Sequence, residues 1–134
     1  MKDWKAIFDD AASSGIHHAG PDVGEDELRK RAADLGFEFV VIDLRSAADK
    51  ESFLSAVARA LELPDYFGMN WDALNDCLTD MSWRPAGGYV LFLIGFQSFA
   101  EAAQAEATVA IRILGVAADF WRQREVPFYA LLSD

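Results

Sequence analysis

Between Glu62 and Trp83 the chain carries five carboxylates, Glu62, Asp65, Asp72, Asp76 and Asp80, and not one Lys, Arg or His. Carboxylates gathered this way can do two kinds of chemistry. Two of them can share the work of general acid and general base in a hydrolysis. Alternatively the group can pair with cations on a partner, accepting charge-assisted hydrogen bonds from Arg, Lys or protonated His. Asp72, Asp76 and Asp80 recur every four residues, which stacks them along one side of an α-helix. Trp71, Leu74, Cys77, Leu78 and Met81 fall on the opposite side and face a core, while Asn75 and Thr79 share the polar arc with the aspartates. Like charges at this spacing repel by roughly a few tenths of a kcal/mol per pair. No neighbouring base relieves that repulsion, so the pattern invites a cationic partner. A merely solvated helix face would carry the same charges, and spacing alone leaves both readings open.

Other residues able to do chemistry are isolated. His17 and His18 are adjacent, so their side chains do not converge, and no acid or cysteine completes a metal-ligand set; they read as surface-loop residues. Cys77 lies on the apolar side of its helix and reads as a buried, inert thiol. Gly87-Gly88 lacks the spacing of a phosphate-binding loop and reads as a turn. Arg29-Lys30-Arg31 reads as a helix end, because three bases among so many acids make a poor nucleic-acid footprint. The residues thus imply no catalytic set, no metal and no cofactor.

The elements that must position the acids are legible. Trp4 to Ala12 predicts a short amphipathic helix, and Glu25 to Leu35 a second one with acids early and bases late, as the helix dipole favours. Phe37 to Leu44 is a strand signal, largely β-branched and aromatic. Asp49 caps a helix with apolar residues Phe53, Leu54, Val57 and Leu61, which Pro64 prevents from continuing. Asp65 to Met69 forms a loop, and Asn70 caps the acidic helix, from about Trp71 to Met81. A second strand is predicted at Tyr89–Ile94, a long helix at Glu106–Arg122, and a third strand from Pro127 to Leu132. Strands alternating with helices imply a mainly parallel sheet, and their near-continuous apolar runs imply cover on both faces. The expectation is one α/β domain over 1–134: a small three-stranded sheet covered by helices, with an N-terminal helical extension at 1–36.

Composition agrees. The chain has 134 residues, 52% of them hydrophobic, enough for a real core. Its formal charge of −10 repels nucleic acid and anionic lipid and speeds encounter with a basic protein. One cysteine excludes an internal disulfide framework and fits a reducing compartment. Acids stand in the first ten residues where a signal peptide needs an apolar run, and the longest apolar run, Tyr89–Ile94, is strand length. A cytoplasmic protein without a membrane segment is expected.

The string Leu63-Pro-Asp-Tyr-Phe-Gly-Met-Asn-Trp-Asp-Ala-Leu-Asn-Asp-Cys-Leu-Thr-Asp closely resembles the loop-and-helix motif of the barstar-like ribonuclease inhibitors. The match runs in unbroken register through Leu63-Pro64, Tyr66, Gly68, Asn70, Asp72-Ala-Leu74 and Asp76-Cys-Leu-Thr79, and the order of elements agrees with the family fold over residues 37–133. The resemblance implies an immunity-type inhibitor and not an enzyme. Its acidic loop and helix would enter the active site of a basic ribonuclease or ribonuclease-type toxin, where carboxylates take the places of substrate phosphates. It implies Asp72 and Asp76 in that role, with Tyr66, Asn70, Asn75, Thr79 and Asp80 around them, and Asp119 as the candidate for an acid the family uses on its last helix. The chain departs from the best-known member at Asn75, where that member has tryptophan, and at Trp71, where it has leucine, so an aromatic anchor is lost. Two other functions compete: a family-fold protein binding a different basic protein, and a carboxylate-dependent hydrolase built on Asp72 and Asp76.

Overall fold

In the computed structural model, which describes residues 3–20, 23–64 and 67–134, helices and strands alternate along the chain. α1 (Trp4–Asp9) and a 3-10 helix (Ala11–Ser13) lead into β1 (Gly15–Ala19), and α2 (Glu25–Asp34) leads into β2 (Glu38–Asp43). Two helices follow, α3 (Lys50–Leu61) and α4 (Trp71–Leu78), then β3 (Tyr89–Ile94), α5 (Phe96–Ala102), α6 (Gln104–Arg122) and β4 (Phe128–Ser133).

The strands form one wholly parallel sheet in the order β1-β4-β3-β2. Among the described residues it therefore has four strands, not the three expected. The added strand is β1, which places His17 and His18 on a sheet edge and not in a loop. Its sequence, Gly-Ile-His-His-Ala, hides it: an edge strand pairs on one side only and tolerates polar residues that a central strand does not. His17 Nε2–H donates to the Ser13 carbonyl at 2.7 Å, and its ring lies edge-on to Trp4.

Alternation along the central strands divides the core in two. Tyr89, Leu91 and Leu93 with Phe128, Ala130 and Leu132 face one side, beneath Phe53, Leu54, Val57 and Leu61 of α3, Leu74 and Leu78 of α4, and the inner residues of α6. Val90 and Phe92 with Tyr129 and Leu131 face the other, beneath Phe8 of α1 and Leu28 and Ala32 of α2. Cover on both faces explains why the first five residues of β3 and of β4 are all buried.

The described residues before 37 pack against the sheet, with Phe8, Ala19, Leu28 and Ala32 in the second core. The Tyr129 hydroxyl lies 2.9 Å from the Ile7 carbonyl and 3.0 Å from that of Asp10, donating into the pair. Ser14 Oγ accepts from Phe128 N–H at 3.1 Å, and Arg122 donates to the Ser14 carbonyl at 3.0 Å. The segment thus supplies hydrogen-bond partners to groups of β4 and α6.

Local chemistry sets the helix ends. Asp49 accepts from Ser52 N–H at 2.8 Å and Ser52 Oγ accepts from Asp49 N–H at 3.2 Å, a reciprocal capping box that starts α3. Helix α5, absent from the sequence reading, follows β3 through Gly95, whose φ is +81°. A Cβ there would lie 2.8 Å from the Arg45 backbone nitrogen, so only glycine makes this turn. Among the described residues no helix is long and apolar enough to cross a membrane.

Candidate functional site

Helix α4 is built to be held from below and open above. Asn70 Oδ1 accepts from Ala73 N–H at 2.8 Å and caps the first turn. Leu74, Cys77 and Leu78 are buried, and Trp71 lies half-buried against the Phe53 ring, centroids 5.6 Å apart, not fully inside as the helical wheel implies. At the far end Trp121 Nε1–H, reaching across from α6, donates to the Leu78 carbonyl at 2.8 Å and satisfies one of the orphan groups of the helix terminus. Cap, core and indole fix the rotation of the helix.

Asp72 and Asp76 are exposed on its outer side, with Asn75 half-buried between them. The helix ends at Leu78, short of the Met81 expected, and the reason is local. The Thr79 hydroxyl donates to the Asn75 carbonyl at 2.8 Å, and Met81 takes a left-handed backbone (φ 55°) that turns its side chain into the core. Asp80 therefore stands in the closing turn, exposed, accepting from the Ser82 hydroxyl at 2.9 Å, while regular helical stacking covers Asp72 and Asp76 only.

Among the described residues no Lys, Arg or His comes within ion-pairing distance of Asp72, Asp76 or Asp80. The fifth acid, Glu62, differs: Arg84, just past the acidic segment, lies 3.7 Å from it and 2.5 Å from Glu38. The chain thus spends its nearest cation on the far end of the segment. Asp119 forms an ion pair with Arg122 on its own helix, so a role for it in binding would begin by breaking that pair. Burial first, then the charges of Asp76 and Asp80, push the Cys77 thiol up, which keeps it protonated and unreactive.

Tyr66, with Asp65, lies outside the described residues. Phe67 packs half-buried against the core, and Asn70 Nδ2–H donates to the Gly68 carbonyl at 3.3 Å, so the Asn70 side chain is committed to shaping the loop before α4. Met69 adopts φ 53°, a left-handed conformation that costs a residue with a Cβ about 1–2 kcal/mol. Sequence reasoning gave no role at the site to Met69 or Trp121. The first shows no periodic signal, and the second acts across 43 residues of chain.

The arrangement suits recognition of a cation-bearing surface: fixed carboxylates, unneutralised within the described chain, on a helix locked to its core. Among the described residues no group of three or more His, Cys, Asp or Glu is placed to hold a metal ion. Fold and site together define an acidic α/β domain that displays one anionic helix face. The chain belongs to the barstar family: residues 37–133 match the family model described as Barstar (barnase inhibitor). No curated protein matches the sequence. Among solved structures the chain is similar to the ORC2 protein of Aeropyrum pernix, determined as ADPNP–ADP complexes, at 16% identity and a TM-score of 0.59. That likeness covers 90% of this chain and 35% of the other, so this chain spans about a third of that protein's length. At such identity it concerns the fold alone, and it takes in part of the segment preceding the family match.

Proposed function

We propose that this protein is a stoichiometric, immunity-type inhibitor of a basic ribonuclease, acting in the cytoplasm as a binding protein and not as an enzyme. The loop and helix from Tyr66 to Asp80 enter the ribonuclease active site. Asp72 and Asp76 pair there with the Arg, Lys and His groups that would hold substrate phosphate, and Tyr66, Asn70, Asn75, Thr79 and Asp80 border them. The observation that carries this reading is the exposure of Asp72 and Asp76, on a core-locked helix of a barstar-family chain, with no cation of the described residues in reach. A preorganised carboxylate loses little conformational freedom on binding and replaces a phosphate at the partner's cations. No nucleic acid, membrane, metal or cofactor takes part. Residues 1–36 and the family-matched core act as a single domain.

The test is inhibition and stopped-flow binding against barnase and a panel of other basic microbial ribonucleases. A one-to-one complex with loss of ribonuclease activity is expected. Its association should slow steeply as salt rises, because a chain of charge −10 steers toward a basic partner. Asp72→Ala and Asp76→Ala should each speed dissociation by about tenfold or more, the worth of one hydrogen bond between charged groups. Absence of inhibition across the panel at micromolar protein, or variants that inhibit as the parent does, sinks the proposal.

A further inference from the structure

Three large apolar side chains are exposed among the described residues: Met69 (41% exposed), Ile111 and Val116. The last two lie on α6. Met69 stands at the head of the acidic helix, one residue before its cap and three before Asp72. An apolar residue in that position ordinarily folds back on the fourth residue of the helix as a hydrophobic staple. That residue is Leu74, which is buried among other side chains, and Met69 is not among the apolar groups packed on the core. Nor does the backbone ask for methionine. At φ 53° glycine or asparagine fits with less strain, and Gly68 and Asn70 stand on either side. Met69 is thus an unbranched apolar side chain, 41% exposed, in a backbone conformation it disfavours, at the rim of an anionic face. Neither stability nor local geometry accounts for it. Single exposed apolar residues are ordinary, but backbone strain of this kind clusters at ligand clamps and other functional sites.

Resting on the function proposed above, we infer that Met69 is the apolar anchor of this binding surface and seats on an apolar patch beside the cations of the ribonuclease. Asn75, at the middle of the helix face, offers no large apolar area, so the desolvated contact that shields the ion pairs from water is displaced to the start of the helix. A flexible thioether fits such a patch without demanding one shape. The partner is therefore a ribonuclease whose active-site rim carries an apolar or aromatic group next to its Arg and Lys residues, a feature by which this chain discriminates among basic enzymes.

The test uses two substitutions, with dissociation from the tightest-binding ribonuclease of the panel and thermal unfolding both measured. Met69→Gln keeps length and backbone strain but removes apolarity; Met69→Gly removes the side chain and relieves the strain. Both should dissociate roughly tenfold faster. Met69→Gly should unfold at a temperature equal to or above that of the parent, so weaker binding there cannot come from a damaged fold. If both variants hold the ribonuclease as the parent does while Asp76→Ala releases it, the anchor is elsewhere and this inference is overturned with the inhibitor reading intact. If Asp76→Ala also has no effect, or the parent binds no ribonuclease, the inhibitor reading falls and takes this inference with it.

Discussion

Tyr129 ties β4 to the α1 region through one hydroxyl. Its ring is buried between Phe8 and Phe37, and its O–H points at two carbonyls of the α1 region. Burial pushes this phenol up to about 12, against about 10 in an unfolded chain. The native state therefore keeps its proton where the unfolded state has lost it. Its contribution is intact below pH 10 and drains away as pH rises toward 12. Tyr129→Phe should cost about 1 kcal/mol at neutral pH, since the hydroxyl's hydrogen bonds to two part-buried carbonyls are lost, and should flatten the alkaline fall in stability. Burial also pushes Tyr89 up, so some alkaline fall persists in the variant. Urea unfolding of both proteins across pH 8–12 measures this; parallel profiles would show that Tyr129 is not the group responsible. At this scale the sequence told much about the acids and nothing about Tyr129, whose partners stand more than 110 residues away.

The elements divide between those that announce themselves and those that do not. β2, β3, β4 and α3 are written in local chemistry: apolar runs, a capping aspartate and a proline stop. β1 and α5 are not. β1 exists because β4 offers it a free edge, and α5 because Gly95 turns the chain after β3. The acidic helix shows both sides. Its face and cap were legible, but its end at Leu78 depends on the Thr79 hydroxyl, the backbone of Met81 and an indole from α6. A consequence concerns α1, which stands before the family-matched residues and yet inserts Phe8 into the second core. Phe8→Ala should destabilise the whole protein by about 3–5 kcal/mol in a single unfolding transition, as a core phenylalanine does. A loss of under 1 kcal/mol, or a separate early transition followed by intrinsic fluorescence and circular dichroism, would mean that the N-terminal segment folds apart from the rest.

For the whole molecule, the α/β class and the parallel sheet follow from strand–helix alternation, while the number of strands and their order do not, because pairing across long separations leaves no periodic mark in the chain. That order has a consequence for how the protein comes into being. β4 follows every other element in sequence but lies between β1 and β3, hydrogen-bonded to both. During synthesis the ribosome releases β1 more than a hundred residues before the strand it must pair with. Until β4 emerges, β1 has no strand beside it and both sheet faces lack their middle row. Folding from the N-terminus forward is thus closed to this chain. A nascent chain arrested after Pro127 should be cut rapidly by protease, and one with Asp134 clear of the exit tunnel should resist. Equal resistance of the two would place the decisive pairing elsewhere. A protein made this way presents its acidic helix on a finished fold or not at all, since unfinished copies lack the β4 pairings that complete the sheet.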